Sequence, residues 1–281
     1  MSGTNFFNNF PTVPYRFGDN ELPVTVQNLS VYIDAFEKVR EEHVFYQTYY
    51  IKNNQRPEQL SYAIYGTTEY YWTIFLNNEH LRVNGWPLNN SELYPQAQKY
   101  YPNGVISTNG LSTDVSTVTR SICSSANFII GATVWVPASS TIAKIIKIDD
   151  NLATIFLDAP LSVLPGTGEQ IHVVSVEEAA NYVIDPSNLP TIIETTTIQK
   201  SYDGWDAIHH YEDASGNWVY PSYSSLSPHT FDWSSVNTYQ SVSYFQRLTE
   251  QNDRMRAISI IRPETVIEVV SEFNALLRQR L

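Results

Sequence analysis

Few residues of this chain are of a type and spacing suited to covalent chemistry. The adjacent imidazole pair His209-His210 is the first candidate, because histidine is the commonest metal ligand and two converging rings could begin a metal site. The pair lies in a strand-like run, residues 208–211, and successive strand side chains point to opposite faces. The spacing therefore predicts that the two rings do not share an ion. Cys123 is the sole cysteine, has no recognisable signature around it, and reads as a small buried hydrophobe rather than a nucleophile. Glu177-Glu178 reads as a solvated helix start, and the other acidic residues are mostly isolated. The chain contains no Walker A loop, GxGxxG, GxSxG or HExxH. With neither a nucleophile-base pair nor paired carboxylates legible as a motif, the expectation is a protein that is not an enzyme. It should have no catalytic residues, metal, cofactor or small-molecule substrate.

What the sequence offers instead is aromatic surface. Residues 49–93 are dense in Tyr, Trp and Phe, side chains that anchor cores and protein interfaces alike. Tyr49, Tyr50, Tyr71, Trp72, Trp86 and Pro87 are the candidate anchors, on the surface or in the core. Phe6, Phe7 and Phe10 are further candidates, set with Tyr15 and Phe17 in a segment whose prolines disfavour a long helix or a central strand. That segment reads as an arm, and its apolar side chains require cover from the protein's own body or from a neighbour.

The elements that must position these residues can be read locally. Residues 44–51 are rich in Tyr, Phe, Val and Ile and run into Lys52-Asn53-Asn54, a strand entering a polar turn. Pro57 suits a first helical position, Leu60, Ile64 and Ala63 share a face, and Gly66 sits where a left-handed cap is needed. A second helix, opened by the hydroxyl of Thr67 or Thr68, carries Tyr71 or Trp72, Phe75 and Leu76 as an apolar stripe before Asn77-Asn78 stops it. Residues 28–40 show helical spacing of Leu29, Tyr32, Ile33, Phe36 and Val39. Another helix is expected over residues 88–101, with Pro95 in its first turns or at a kink.

A strand followed by two short helices, with Leu60-Ser61, Ile64-Tyr65-Gly66 and Asn77 at their places, resembles the LysM module, a small β-α-α-β unit. The longer string Tyr49-Tyr50-Ile51-Lys52, Arg56-Pro57-Glu58, Tyr65-Gly66, Tyr71-Trp72, Asn77-Asn78 and Gly85-Trp86 resembles something narrower. It is similar to the LysM-like baseplate wedge protein of contractile-tailed bacteriophages, the gene-53 family. The resemblance resumes near the C-terminus, in a helix, the short Ile-rich strand Ile258-Ser259-Ile260-Ile261 and a last amphipathic helix opened by Pro263 and carrying Val266, Val269, Val270, Phe273 and Leu277. It implies a structural subunit of the virion tail baseplate, assembled in the host bacterial cytoplasm. Its implied partners are other baseplate wedge subunits and neighbouring wedges around the hub. LysM modules in general bind N-acetylglucosamine polymers, so a glycan-binding module, with Tyr62, Tyr65, Tyr70, Tyr71 and Trp72 as sugar platforms, is the alternative.

The expected fold is α+β: a LysM-like β-α-α-β module, flanking amphipathic helices and an inserted small all-β domain. The expected divisions are 1–43, arm and helix; 44–104, the LysM-like wedge module; 105–176, the inserted β domain; 177–238, a hairpin and loop region; and 239–281, a helix-strand-helix segment packing back on the module. Composition turns to Val, Ile, Thr and Ser after residue 105, with a hairpin about Asp149-Asp150-Asn151 and enough strands for a small five-stranded barrel or sandwich. A second hairpin joins 208–211 to 218–220, Phe231 and Trp233 need cover in the following loop, and residues 241–253 read as helix. No second module strand follows promptly after residue 78. The run Ala257–Ile261 is therefore expected to pair with residues 46–51, making residues 85–250 an excursion from one small sheet.

A chain of 281 residues with formal net charge −12 and scattered Lys and Arg lacks the clustered basic surface that tracks phosphates, so no nucleic-acid partner is expected. A lone cysteine excludes an internal disulfide. No basic start with an apolar core opens the chain, and no apolar run is long enough to cross a bilayer, so a soluble protein without a membrane partner is expected.

Overall fold

The structure, a computed structural model, describes residues 12–18, 22–28, 46–108, 127–149, 151–175, 191–219 and 239–278. The candidate anchors Phe6, Phe7 and Phe10, the expected helix over 28–40 beyond Asn28, Cys123, Glu177-Glu178, Phe231 and Trp233 lie outside these residues. In chain order, β1 (Thr12–Tyr15) and β2 (Val24–Gln27) precede β3 (Tyr46–Tyr50), which leads into helices α1 (Pro57–Tyr65), α2 (Tyr71–Asn77), α3 (Glu79–Asn84) and α4 (Asn90–Tyr100). There follow β4 (Gly104–Thr108), β5 (Thr133–Val136), β6 (Thr141–Asp149), β7 (Thr154–Leu157), β8 (Gln170–Val174), β9 (Ile192–Asp203), β10 (Ile208–Glu212), β11 (Trp218–Val219) and β12 (Gln240–Ser243). The chain closes with α5 (Tyr244–Met255), β13 (Ala257–Ile261) and α6 (Val266–Arg278). Helix and strand are mixed, an α+β composition. The molecule divides into two compact units, residues 1–90 with 251–281, and residues 91–250.

In the first unit β3 pairs antiparallel with β13, Tyr50 opposite Ala257 and Tyr46 opposite Ile261, which is the long-range pairing that the sequence predicts. Pro57 stands at the first position of α1, where no N–H is needed, and the Arg56 N–H donates to Gln59 Oε1 at 3.0 Å. Gly66 ends the helix at φ +72°, its N–H donating to Tyr62 O at 3.0 Å. Leu60 is buried, but its companions are Ser61 and half-buried Ile64, whereas Ala63 is exposed. The second helix starts at Tyr71, later than the hydroxyl signals suggest. Thr67 instead turns the connecting loop by accepting the Glu69 N–H at 3.2 Å. The 81–83 run is the helical α3.

Two apolar clusters hold this unit together. One joins Ile51, Leu60, Ile74, Leu81, Ile258 and Ile260; the other joins Trp72 and Leu76 of α2 to Ile261, Val266, Val269 and Phe273. Directly opposed residues of an antiparallel pair share a face. Tyr49 and Ile258 therefore point into the first cluster, and Tyr46 and Ile261 into the second, while Tyr50, Ala257, Thr48 and Ser259 are exposed.

In the second unit six strands close a barrel in the order β4-β7-β6-β5-β8-β9. The count differs from the five strands expected over 105–176, because β9 extends from Ile192 to Asp203 and pairs with both β8 and β4. Its inward positions include Thr196 and Ser201 beside Ile198, a polar sequence that hides a closing strand. The interior is filled by Ile106, Val134, Val136, Ile145, Ile155, Leu157, Ile171 and Val173 from the other five strands. Residues 129–132 form a turn rather than the start of β5, so that strand is shorter than its apolar run. A smaller sheet runs β11-β10-β12. Here residues 241–243, read from sequence as helix, pair with β10, and the helix begins only at Tyr244.

Candidate protein-interaction surface

The edge of β13 away from β3 is finished by side chains. Asn78, buried just beyond α2, accepts the Ser259 N–H at 2.9 Å and donates through Nδ2 to Ser259 O at 2.7 Å. One amide thus imitates the pairing of a third strand. The same Nδ2 donates to Ile74 O at 2.7 Å, so Asn78 also closes the helix. Tyr65 continues the seal by donating its hydroxyl to Ile261 O at 2.9 Å, and burial pushes that phenol up to about 12. Both arrangements fix β13 to the helices.

The opposite edge differs. Ile51 N–H donates to Arg256 O at 2.9 Å across the Tyr50–Ala257 pair, which makes that pair and the Thr48–Ser259 pair the wide, non-bonded kind. The backbone groups of Thr48 and Tyr50 therefore point away from β13, along an edge that no ladder covers among the described residues. An uncovered strand edge is a template for another backbone. Tyr50, 58% exposed, flanks it.

The remaining candidates sort by burial. Trp72 is a core residue, its ring 4.7 Å from that of Phe273, and Pro87 is also buried. Trp86 is half-buried, donates its indole N–H to Gln55 O at 2.7 Å and lies 5.7 Å from Phe75. Tyr49 and Tyr71 are half-buried against the two clusters. The five aromatics considered as sugar platforms do not form one open surface. Tyr65, Tyr70, Tyr71 and Trp72 belong to the Trp72 cluster, whereas Tyr62 is exposed.

Further apolar exposure lies on the β1-β2 hairpin, which pairs Thr12 with Gln27 and Tyr15 with Val24. Tyr15, Phe17, Leu22 and Val24 are all more than half exposed, and Tyr15 and Phe17 meet edge to face at 5.1 Å. An isolated two-stranded ribbon is marginal in water.

Sequence reasoning missed the pins of this unit. Asn252 clasps residue 88 from both sides, accepting the Leu88 N–H at 2.7 Å and donating to Leu88 O at 3.0 Å. Arg256, nearly buried, donates to Leu88 O at 2.9 Å and reaches Asn53 and Asn90 at 3.3 Å. A single Asn or Arg in a polar helix end carries no local signal of such a contact. The Asn77-Asn78 pair did carry one, as a helix stop.

The histidine pair requires a correction. A β-bulge interrupts the β10-β12 register between Ile208 and His210, and a bulge re-aims side chains that regular alternation would separate. His209 Nδ1 and His210 Nδ1 consequently lie 2.9 Å apart, and His210 Nε2 lies 2.9 Å from Glu212 Oε1. Burial, Arg247 and His210 hold His209 down to about 4. Among the described residues, no group of three or more His, Cys, Asp or Glu could hold a metal ion. No described helix is long and apolar enough to cross a membrane.

Comparison with known proteins bears on the first unit above all. Residues 8–109 match the model of the family described as base plate wedge protein 53. Over 58 residues, 20% of this chain, the sequence is 36% identical to the baseplate wedge protein gp53 of Enterobacteria phage T4, and this stretch spans 30% of that protein. The family match takes in β1 to β4; β13 and α6 lie beyond it.

Proposed function

Since residues 8–109 match the model of the base plate wedge protein 53 family, we propose that the chain is a member of that family and a non-enzymatic structural component of a phage tail baseplate wedge. It acts by binding other wedge subunits and joining neighbouring wedges around the hub, within the virion and after assembly in the host cytoplasm. In this reading β3, α1, α2 and β13 are a LysM-like unit used as a rigid clamp, and the segment between them carries an inserted β domain.

The observation that carries the reading is the asymmetry of the β3-β13 sheet, whose β3 strand lies inside the family-matched segment. Asn78 and Tyr65 occupy the β13 edge, while the β3 edge is flanked by exposed Tyr50. An extended partner segment can add to such an edge through main-chain hydrogen bonds, with a large aromatic side chain beside it supplying apolar contact. The hairpin of β1 and β2 supplies a second apolar contact.

Co-expression with the other wedge subunits of the same phage, followed by size-exclusion chromatography and electron microscopy, tests this. A stable heteromeric complex that is lost in the Tyr50→Arg chain is the expected result. A wild-type chain that remains monomeric beside every subunit rejects it.

A further inference from the structure

The hairpin of β1 and β2, like β3, has strand edges that no ladder covers among the described residues. Pro14 decides which of its two sides can pair. Proline has no N–H to exchange, so the Pro14–Thr25 pair takes the wide, non-bonded form. That form turns the donorless nitrogen of Pro14 to the outside of β1, and the N–H and C=O of Thr25 to the outside of β2. The Thr12–Gln27 pair, two residues along, is wide as well. The outer side of β1 is therefore blunted, while β2 presents Thr25 and Gln27.

This edge matches the open edge of β3, which presents Thr48 and Tyr50 at the same spacing. Neither Val24–Gln27 nor Tyr46–Tyr50 contains a charge or a proline, and no register shift interrupts either pairing. Both strands thus lack the devices that ordinarily protect an edge. Setting the outward groups face to face in antiparallel sense places Thr25 opposite Tyr50 and Gln27 opposite Thr48, hence Val26 opposite Tyr49 and Val24 opposite Ile51. Opposed residues share a face. Val13, Tyr15, Val24 and Val26 form one face of the hairpin, and they then extend the face that carries Tyr49, Ile51, Ile258 and Ile260 over the first core cluster. Thr12, Pro14, Thr25 and Gln27, all exposed, fall beside exposed Thr48 and Tyr50. A parallel approach shifts the bonding by one residue and turns the valines to the solvent side.

Within the chain the two strands stay in separate two-stranded sheets. We propose that β2 of one copy adds antiparallel to the β3 edge of a second copy, giving a four-stranded sheet in the order β13-β3-β2-β1 whose last two strands come from the neighbour. The inference rests on the wedge reading above and names the segment that joins one wedge to the next. Each two-stranded ribbon gains the further strands that it needs for stability in water. Every copy offers β2 and receives on β3, so the contact is head to tail, the kind of contact that a closed ring satisfies at every position.

Cross-linking of full-length chains tests the exchange. Directly opposed residues of an antiparallel pair lie within disulfide reach. Gln27→Cys and Thr48→Cys chains, each also carrying Cys123→Ser, are co-expressed with the wedge subunits, purified, oxidised and read by mass spectrometry. A disulfide joining the two kinds of chain is the expected result. Adding Thr25→Pro to the Gln27→Cys chain, which removes one outward N–H and leaves the hairpin's own ladder intact, should abolish that link without moving the unfolding midpoint. A wedge complex that forms with no link between the chains overturns the exchange and leaves the wedge reading standing. A link that survives Thr25→Pro, or a chain carrying both cysteines that closes only on itself, also overturns it. A link that forms between chains to which no wedge subunit binds supports the exchange and rejects the wedge reading.

Discussion

Every strand of the six-stranded barrel has a ladder partner on both sides, whereas β3 and β13 have one partner each among the described residues. The barrel satisfies its backbone by closure and leaves no edge. The small sheet satisfies one edge with an amide and a phenol and presents the other to solvent among the described residues. A buried unpaired backbone group costs free energy comparable to a lost hydrogen bond, which is why the β13 edge, packed under α1 and α2, must be finished by side chains. The exposed β3 edge has no such requirement. The difference teaches where a strand edge is left for recognition: on the β3 side of the small sheet and not on the barrel.

That contrast can be tested by single substitutions in the first unit. Trp72→Ala should have the largest effect, destabilising the chain by about 3–5 kcal/mol in denaturant unfolding, because it removes a core aromatic packed on Phe273. Asn78→Ala leaves Ser259 N–H, Ser259 O and Ile74 O without their partner and should cost about 2–3 kcal/mol, on the order expected for several unmade buried hydrogen bonds. Asn78→Asp separates the two roles, since it keeps an acceptor for Ser259 N–H but loses the donor. Tyr65→Phe removes one bond to Ile261 O and should cost about 1 kcal/mol. Tyr50→Ala should shift unfolding by less than about 0.5 kcal/mol, as an exposed position does, and should weaken subunit association instead. A Tyr50→Ala chain destabilised as much as the Asn78→Ala chain would erase the distinction between the finished and unfinished edges.

The parts of the fold legible in the sequence are those with local punctuation or strong apolar pattern. Pro57 and Gly66 bracket α1 because each residue's backbone preference matches its position. The run Ala257–Ile261 was recognisable as the distant strand because Ile258, Ile260 and Ile261 need burial and no nearer strand was available to β3. Closure of the barrel was not legible. Its last strand, β9, turns Thr196 and Ser201 inward, where a strand signal would require larger apolar residues. The start of α5 was misplaced because Ser241 and Ser243 suit a strand beside β10 as well as a helix start. The histidine pair shows the limit most plainly, since regular alternation separates His209 from His210 and only the bulge brings them to 2.9 Å. Within the candidate surface, composition marked Tyr50 and Trp72 alike as aromatic anchors. Their fates differ because Trp72 lies on a helix between two clusters and Tyr50 on the outer face of the sheet.

The most direct measurement is to purify the wild-type and Tyr50→Arg chains, each co-expressed with the other wedge subunits, and to titrate both preparations with a chitooligosaccharide. The account predicts a stable heteromeric complex with the wild-type chain, its loss with Tyr50→Arg despite unchanged unfolding, and no sugar binding by either. A wild-type chain that ignores the subunits and binds the sugar would contradict it.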